Sequence, residues 1–565
     1  MNQLDTGADT LIHSLLDAEV ELLFGYPGGA ILPIYDALYR AQDRLRHVLV
    51  RHEQGAVHAA QGYARSTGKI GVCMATSGPG ATNFLTGMAD ALADSTPVLC
   101  ICGQVSSEKL GTDAFQEADI IGLSLAATKW SYQVTRACDI EPVIKRAIQI
   151  ATSGRPGPVL VDITRDAQSG IPEHSPGPRL DSMFSWSPKS LKEDFSGIAK
   201  AAELINHAQK PMLLLGHGVS LSGAENEARQ LAETGGIPTA ATLLGLSAMA
   251  VTHPLYTGML GMHGHYAPNR LTNEADVIIA VGMRFDDRVT GRLDAYARQA
   301  KIIHIDIEAT EINRLVPAHV GIIGDAKKAL RALLPNIQQR RHEDWLARFA
   351  HDEHIERQEV INDELAPSSE ELHMGEVMDC LSRLTQGDAI IVSDVGQHQM
   401  MAARYYQFAK PSSHITSGGL GTMGFAIPAA IGATLGQPER PVIAIAGDGG
   451  AQMTLQEFGT VMQEQIPLKL IILNNQRLGM VRQWQDLFFE QRYSQISIEN
   501  PDFVILARSY RIQAQSVQDR ADLEEAIATM LSHSGPFVLE INVLKTDNIF
   551  PMIAAGASVS EIRLN

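Results

Sequence analysis

The segment PVIAIAGDGG at 441–450, together with LKLIILNN at 468–475, decides how this chain folds. Each begins as a short apolar run and ends in polar residues, and the chain between them is long enough for a helix. A strand, helix, strand unit places both polar ends at one edge of a parallel sheet, where ligands bind. Glycines let the backbone approach phosphate there, and Asp448 and Asn475 offer the oxygen ligands that Mg²⁺ prefers. Either dipeptide alone is more often a simple turn, but together they predict a metal and phosphate site.

Similar apolar runs recur along the chain with helix-length segments between them, which is typical of parallel strands buried on both faces. They predict an α/β fold with three open, mainly parallel sheets. The runs are IGVCMAT (70–76), PVLCICG (97–103), PVLVDIT (158–164), PMLLLGHG (211–218), DVIIAVG (276–282), KIIHIDI (301–307), DAIIVSDVG (388–396) and PFVLEINV (536–543).

Two polar gaps divide the chain into predicted domains. Residues 168–195 are rich in Pro and Ser, and residues 337–370 are strongly charged. Both are predicted linkers, although the second is equally consistent with a solvated helix. We therefore expect domains at 1–167, 195–336 and 371–545, with a C-terminal tail at 546–565.

The composition narrows the possible partners and compartment. The net charge is −18, from 46 basic and 64 acidic residues, and no Lys/Arg-rich run is present that could bind nucleic acid. No apolar stretch is long enough to span a membrane, and the N-terminus resembles neither a signal nor a transit peptide. The five cysteines are an odd number without CxxC spacing, which indicates reduced core thiols. A cytoplasmic protein is expected.

The GDGG…LNN unit resembles the signature of thiamin diphosphate enzymes in composition, spacing and strand placement. The resemblance implies that Mg²⁺ binds Asp448, Asn475 and the backbone carbonyl of Arg477. It also implies that the glycines of the motif lie against the diphosphate, namely Gly447, Gly449 and Gly450.

Glu53 is the candidate for activating such a cofactor. In LVRHEQGAVHAAQGYAR (49–65) it follows an apolar strand and opens an Ala/Gly-rich helix, the place where thiamin enzymes carry a glutamate that hydrogen-bonds the aminopyrimidine. A glutamate in the first turn of a helix is by itself more often a favourable partner of the helix dipole, but the distant GDGG motif reverses that preference.

A second glycine-rich segment, SGGLGTMGFAIPAA at 417–430, is predicted to hold the cofactor rings. By resemblance, Met423 supports the bent cofactor, and Gly418, Gly419 and Gly421 allow close approach of the backbone. Met480 completes the predicted thiamin diphosphate site. A methionine that fills a gap in the core is the alternative for Met423.

Beyond this signature, the chain resembles the acetohydroxyacid (acetolactate) synthases over nearly its whole length. The resemblance implies ylide formation, decarboxylation of pyruvate, and attack of the hydroxyethyl carbanion on pyruvate or 2-ketobutyrate. The products are 2-acetolactate or 2-aceto-2-hydroxybutyrate, in the first common step of branched-chain amino acid biosynthesis. The matching blocks are GYPGGAILPIYDAL (25–38), RHEQGA (51–56), ATSGPGATN (75–83), GTDAFQE (111–117), GRPGPVLVDI (154–163), GMLGMHG (258–264), RFDDRVTG (284–291), SDVGQHQM (393–400) and LGMVRQWQ (478–485).

The same resemblance assigns residues to catalysis and substrate. Gly29 and Gln116 are implied to lie over the thiazolium and to stabilise negative charge on the substrate oxygen. Arg288 is implied to pair with the carboxylate of the second keto acid, since a guanidinium offers two parallel hydrogen bonds. Three further residues are implied to wall the site, although each also suits core packing: Trp484, Met262 and Phe115. Trp484 is expected to favour 2-ketobutyrate by roughly 1–3 kcal/mol, the worth of one buried methylene.

The middle of the chain carries the blocks that hold FAD in acetohydroxyacid synthases, whereas the GHG at 216–218 alone is too weak to indicate a dinucleotide. The reaction involves no net oxidation, so the implied flavin is structural. The matching positions are Arg155, Gly218, Thr242, Leu243, Leu260, Gly261, Met262, His263, Gly282, Arg284, Asp286, Arg288, Val289, Asp306, Ile307 and Asp325.

Some features depart from the family or stay open. Arg165 replaces the usual Lys and Ser106 a common Pro, which indicates a changed entrance to the site. The alternatives are a pyruvate oxidase with FAD and thiamin diphosphate, a catabolic acetolactate synthase without flavin, and a cofactor-binding relic without activity. The resemblance also implies a homodimer or homotetramer and a small regulatory subunit.

Overall fold

A computed structural model describes residues 5–172 and 193–565. It contains three six-stranded sheets in which every strand pair is parallel, with helices between the strands. The prediction of three open α/β sheets is therefore confirmed. Most of the predicted linker at 168–195 lies outside the described residues.

The first sheet belongs to the N-terminal domain and has the order β2-β1-β3-β4-β6-β5. Its strands are β1 Leu22–Tyr26, β2 Arg46–Leu49, β3 Gly71–Ala75, β4 Val98–Gln104, β5 Trp130–Val134 and β6 Val159–Thr164. Its helices are Gly7–Asp17, Leu32–Arg40, Glu53–Thr67, Pro79–Thr82, Leu85–Ala93, Ile120–Ser124, Ile140–Thr152 and Arg165–Ser169.

The central sheet has the order β9-β8-β7-β10-β11-β12, in which the chain starts in the middle and builds outward first on one side and then on the other. This is the strand order of dinucleotide-binding folds, which bind their ligand where the order reverses. The strands are β7 Pro211–Leu215, β8 Thr239–Ala241, β9 Tyr256–Met259, β10 Val277–Val281, β11 Lys301–Asp306 and β12 Val320–Ile323. The helices are Ile198–His207, His217–Leu221, Glu225–Gly235, Tyr266–Thr272, Asp287–Thr290 and Ala326–Leu333.

The C-terminal sheet, of order β14-β13-β15-β16-β18-β17, repeats the topology of the first. Its strands are β13 Ile390–Ser393, β14 His414–Thr416, β15 Val442–Gly447, β16 Lys469–Asn474, β17 Gln513–Val517 and β18 Phe537–Asn542. Its helices are Met374–Thr385, Gln397–Tyr405, Ala426–Gly436, Asp448–Gln452, Phe458–Glu464, Gly479–Phe488, Phe503–Ser509 and Leu523–Ser532.

The charged segment at 337–370 is largely helical, with an α-helix at Glu343–Glu356, a π-helical turn at Arg357–Ile361 and a short helix at Asn362–Leu365. Trp345 and Phe349 bury one face in the central-domain core. At the end of the α-helix, Glu356 forms a fully buried ion pair of 2.6 Å with Arg404 of the C-terminal domain. The segment is thus a packed helix that joins two domains.

The C-terminal tail returns to the central domain. Ile553, Val559 and Ile562 are buried in the same cluster as Trp345. All five cysteines are free, and four of them are buried while Cys138 is half-buried. Within the described ranges, no helix combines the length and apolarity needed to cross a membrane.

The N- and C-terminal domains share one hydrophobic core because the helices Glu53–Thr67 and Ala426–Gly436 pack backbone against backbone. A Cβ on Gly62 would lie 1.8 Å from the carbonyl oxygen of Ala429, and a Cβ on Gly432 would lie 1.8 Å from that of Ala59. Only glycine permits this approach on both sides of the interface.

We predict that Gly62→Ala destabilises the protein by at least about 2 kcal/mol, because the added methyl group meets backbone that cannot move aside. At an unpacked helix position, replacing glycine by alanine would stabilise the helix by up to about 1 kcal/mol. A loss of stability would therefore result from the close packing. Urea unfolding measures the free energy.

Gly535→Ala is the control, since its added Cβ would meet only the His533 side chain, at 3.2 Å. A change within about 0.5 kcal/mol is expected there. Equal stability of Gly62→Ala and the wild type would contradict the packing described.

Candidate active site

The GDGG and NN residues meet at the carboxyl edge of the C-terminal sheet. Asp448 follows β15 and Asn475 follows β16, which are adjacent parallel strands. Asn500 bridges the two strand ends, because its amide nitrogen donates to Asp448 Oδ2 at 2.8 Å and to Asn474 Oδ1 at 2.9 Å. The backbone N–H of Arg477 donates to Asn475 Oδ1 at 3.1 Å. The three predicted metal ligands therefore lie on neighbouring turns.

Asp448 is suited to a cation. It is only 1% exposed, and burial raises the pKa of its carboxyl group. Among the described residues, the side chain that hydrogen-bonds its carboxylate is the uncharged amide of Asn500. A divalent ion would offset this uncompensated burial, and the donor set of carboxylate, amide oxygen and backbone carbonyl suits Mg²⁺.

The glycines beside Asp448 allow several side chains to come close. A Cβ on Gly447 would lie 2.7 Å from the ring of His398, and one on Gly450 would lie 2.7 Å from Asp394 Oδ1. A Cβ on Gly449 would lie 3.0 Å from Ile498 Cδ1, 3.1 Å from Leu478 Cδ2 and 3.9 Å from Met423 Cε. Met423 and the GDGG motif are thus neighbours, as their assignment to one cofactor requires.

Asp394 holds the backbone around Met423. Its carboxylate accepts backbone N–H groups from Gly424 at 2.9 Å and Ala426 at 3.1 Å. Burial raises the pKa of Asp394 to about 6. Asp394 lies within the block at 393–400 but was not itself predicted to be a site residue.

Glu53 lies at the carboxyl edge of the N-terminal sheet. It is the first residue of its helix, and its Oε2 accepts a 2.8 Å hydrogen bond from the amide of Asn83. A Cβ on Gly80 would lie 3.2 Å from Glu53 Oε1, so that glycine leaves room for the carboxylate. Asn83 orients one oxygen and leaves the other free of any hydrogen bond to the described part of the chain.

Gly29 and Gln116 adjoin the same edge. The space around the α-carbon of Gly29 is open, with nothing within 4 Å of an added Cβ. Gln116 has a left-handed φ of 59°, and its backbone packs against Gly78. The neighbouring Phe115 is 88% exposed. Glu53, Gly29 and Gln116 thus all follow strands at this edge, and Phe115 beside Gln116 is exposed.

Glu457 of the C-terminal domain holds the segment that leads into Glu53. Its carboxylate, fully buried, accepts the backbone N–H groups of Arg51 and His52, each at 3.1 Å. Thr460 donates to its second oxygen at 2.6 Å. Burial raises the pKa of Glu457 to about 7. No motif marked this residue.

The central domain contributes to a cavity of about 750 Å³. All sixteen positions matched to FAD blocks line it, as do Gly418, Gly419, Met480 and Trp484. At its base, strands β7 and β10 end in Gly216–Gly218 and Gly282, where Gly218 N–H donates to Gly282 O at 2.9 Å. This is the point where the strand order reverses, the usual place for a dinucleotide.

Two buried nitrogens in the cavity wall have no hydrogen-bond partner within the described ranges, His263 Nδ1 and Trp484 Nε1. Burial lowers the pKa of His263 to about 3, so the ring is neutral. Orphaned polar atoms of this kind indicate a ligand. Arg288 is nearby, with its Nη1 3.3 Å from Met262 Sδ, and its side chain is 58% exposed.

The structure does not bring all the predicted residues into one place. Several predicted residues do not line the cavity, among them Glu53, Gly29, Gln116, Phe115, Asp448 and Asn475. The cavity includes residues that the sequence did not mark as part of a site: Asp94, His217, Glu311 and Gln399.

Comparison with known proteins gives three successive family matches. The chain matches the N-terminal TPP binding domain of thiamine pyrophosphate enzymes at 5–123, their central domain at 198–333 and their C-terminal TPP binding domain at 394–541.

Curated relatives match over almost the whole chain. It is 46% identical to the acetolactate synthase isozyme 2 large subunit of Escherichia coli, with 98% of this chain and 99% of the relative covered. It is 44% identical to the acetolactate synthase large subunit of Corynebacterium glutamicum (99% and 90% covered). It is 40% identical to that of Lactococcus lactis (99% and 96% covered).

We predict that Glu457→Gln makes stability less dependent on pH. The folded carboxyl group keeps its proton up to about pH 7, whereas the unfolded one releases it near pH 4.5. The wild type therefore loses stability as pH rises between these values, by up to about 3 kcal/mol, and the glutamine variant does not.

Urea unfolding of both proteins at pH 5 and pH 8 measures this difference. Glu141→Gln is the control, since its side chain is 54% exposed. If the stability of Glu457→Gln and that of the wild type change equally between pH 5 and pH 8, the raised pKa of Glu457 is ruled out.

Proposed function

Because the chain belongs to the acetolactate synthase family of thiamine pyrophosphate enzymes, we propose that it condenses pyruvate with a second 2-keto acid. The products are 2-acetolactate from pyruvate and 2-aceto-2-hydroxybutyrate from 2-ketobutyrate. The observation that carries the proposal is the placement of Asp448 and Asn475 at one carboxyl edge and Glu53 at the matching edge of a sheet with the same topology.

Mg²⁺ and the diphosphate are assigned to the carboxyl edge of the C-terminal sheet. Asp448, Asn475 and the carbonyl of Arg477 would hold the metal, and the glycines Gly447, Gly449 and Gly450 would admit the diphosphate. The buried carboxylate of Asp448 fits this role because a cation would relieve its desolvation. Met423 and Met480 flank the rings. When bound, thiamin diphosphate supplies the carbon acid that adds to a keto acid.

Glu53 is assigned to hydrogen-bond the aminopyrimidine of the cofactor. Asn83 fixes one carboxylate oxygen, and Glu457 fixes the backbone that enters the helix, so the position of Glu53 is set before any ligand binds. Gly29 leaves open space for the substrate, and the Gln116 side chain is assigned to donate to its oxygen.

A second copy of the chain is proposed to complete each site. Within the described part of one chain, no hydrogen bond or ion pair joins Glu53 to Asp448 or Asn475. Phe115 lies 88% exposed beside the Glu53 edge, as expected of a surface that another subunit covers. A symmetric dimer would bring two Glu53 edges to two Asp448 edges. A small regulatory subunit is also proposed, since relatives are named large subunits.

Arg288, Trp484 and Met262 are assigned to the second keto acid. Arg288 and Met262 are in contact, and both line the cavity with Trp484. A half-exposed guanidinium beside apolar side chains can pair with a carboxylate and leave the alkyl group of the acid against Trp484 and Met262.

FAD is proposed to occupy the cavity in a structural role. The dinucleotide strand order, the contact of Gly218 with Gly282, and the unpartnered His263 Nδ1 support this assignment. Two acids suit ribose hydroxyls: Asp306, the last residue of β11, and Asp325, which follows β12.

We predict that Glu53→Gln lowers acetolactate formation at least about 100-fold, since the carboxyl group supports proton transfer. The assay contains pyruvate, saturating thiamin diphosphate, Mg²⁺ and FAD, and Glu141→Gln is the matched control. Undiminished synthesis by Glu53→Gln would overturn the assignment. CO₂ release with only acetaldehyde or acetate from the wild type would overturn the proposed reaction.

We predict that the purified protein binds FAD and that pyruvate does not bleach it. Acid release followed by absorbance spectroscopy measures the flavin content, and a spectrum taken after anaerobic addition of pyruvate shows whether it is reduced. A colourless protein that makes acetolactate would be a catabolic synthase, and a bleached flavin with acetate as product would be a pyruvate oxidase.

A further inference from the structure

The end of the helix Leu85–Ala93 lies where all three domains meet, although no motif marks it. The ring nitrogen Nδ1 of His217, in the central domain, is 3.0 Å from the carbonyl oxygen of Asp94. Arg155 donates to Ser95 Oγ at 2.8 Å and to the carbonyl of Ala93 at 3.2 Å. Arg155, His217 and Asp94 all line the cavity. The turn is therefore fixed by Arg155 of its own domain and by His217 of the central domain.

The carboxylate of Asp94 faces the C-terminal domain. Its Oδ2 accepts the backbone N–H of Gly418 at 2.9 Å, and its Oδ1 accepts that of Gly419 at 2.6 Å. Each oxygen thus takes one of two successive amides. A Cβ on Gly419 would lie 2.8 Å from Asp94 Oδ1, so this glycine is what allows the carboxylate to approach.

The rest of the glycine-rich loop at 416–424 is hydrogen-bonded to the same helix and to the helix Glu53–Thr67. Asp90 accepts a short hydrogen bond from Ser417 Oγ and one of 3.0 Å from Thr422 Oγ1. Arg65 donates to the carbonyl of Thr416 at 2.5 Å and lies 3.4 Å from Asp94 Oδ2. The loop is thus held at 416, 417, 418, 419 and 422 by the N-terminal domain of its own chain.

This arrangement is electrostatically costly. Asp90 and Asp94 are almost completely buried, and Arg65 is the one cation within salt-bridge distance of Asp94 in the described part of the chain. His217 is neutral, because burial lowers its pKa to about 3. Burial also raises the pKa of Asp94 to about 6, with Asp90 adding to the effect and Arg65 opposing it. Apolar packing would hold a loop without this cost.

We propose that Asp94 is a positioning residue for the reaction, which fixes the Gly418–Gly419 backbone in the wall of the cavity and so sets the loop that carries Met423. The proposal rests on the proposed function for its kinetic consequence, but its geometric part does not. Ionised Asp94 supplies one acceptor to each glycine N–H, whereas an amide in its place supplies one acceptor and sets a donor against the other N–H.

The test is Asp94→Asn, with Asp276→Asn as the matched control. Asp276 also accepts two successive amides, those of Gln209 at 2.7 Å and Lys210 at 3.0 Å, one on each oxygen. It stands directly before β10, and the two amides stand before β7, so all three lie at the opposite ends of these strands from the cavity. The two variants therefore make the same chemical change in a site loop and in a remote one.

Hydrogen–deuterium exchange of the protein without added cofactors is the first measurement. In Asp94→Asn, the amides of Gly418 and Gly419 are expected to exchange at least about tenfold faster, since a hydrogen bond to a charged acceptor is lost. In Asp276→Asn, only the amides at 209 and 210 are expected to respond. Unchanged exchange at 418 and 419 in Asp94→Asn overturns the proposal.

The wild type alone provides a second measurement, which does not depend on the variant folding. Protection of the Gly418 and Gly419 amides, corrected for intrinsic exchange, is expected to fall as pH drops through about 6, because protonation removes a charged acceptor. The protection of buried β15 amides serves as the reference. Constant protection relative to β15 between pH 7.5 and pH 5 contradicts the proposal.

Steady-state kinetics then connect the loop to the reaction. The kcat/KM of Asp94→Asn for acetolactate formation is expected to fall about 10- to 100-fold, as a small misplacement of site groups does, and Asp276→Asn to match the wild type. If the amides at 418 and 419 exchange faster in Asp94→Asn but its kcat/KM equals that of the wild type, the catalytic part of the proposal is overturned. If neither the wild type nor Asp276→Asn makes acetolactate, the proposed function fails, and the exchange data still decide the geometry.

Discussion

The packing of helix Glu53–Thr67 on helix Ala426–Gly436 is the constraint on which the candidate site depends. Backbone meets backbone at Gly62 and Gly432, so no side chain can adjust to change the distance. The first helix begins at Glu53, and the loop that carries Met423 leads into the second. One helix crossing therefore fixes where Glu53 and the loop that carries Met423 lie in each chain, the two elements proposed to act on the cofactor.

Buried carboxylates then set the loops that the sheets leave free. Asp394 accepts amides beside Met423, Asp94 accepts amides in the cavity wall, and Glu457 accepts amides before Glu53. Burial raises the pKa of each, because a buried site disfavours the ionised form. When ionised, each carboxylate accepts charge-assisted hydrogen bonds, which are stronger than neutral ones and restrict the loop that donates them.

The sequence predicted ten of the twelve inner strands in the described part of the chain, missing β1 and β8, and the residues at the strand ends, but few of the contacts between domains. Most inner strands are continuous apolar runs, whereas edge strands such as β5 and β17 are partly exposed and show no such run. Asp448 and Glu53 stand beside strong local motifs. Asn500 reaches Asp448 across 52 residues, and Asp94 reaches Gly418 across 324. Local periodicity contains no information about such pairs, so only the folded chain reveals them.

The glycine-rich loop at 416–424 faces the cavity on one side and the GDGG motif on the other, which suggests a structural role for the proposed flavin. Gly418 and Gly419 line the cavity on one side, and Met423 lies toward Gly449 of the diphosphate motif on the other. A ligand that fills the cavity would restrict the loop on the side that Asp94 leaves open. Binding that favours one loop conformation stabilises whatever else needs that conformation. The proposed FAD would then support catalysis by holding Met423 in place, and no electron transfer would be needed.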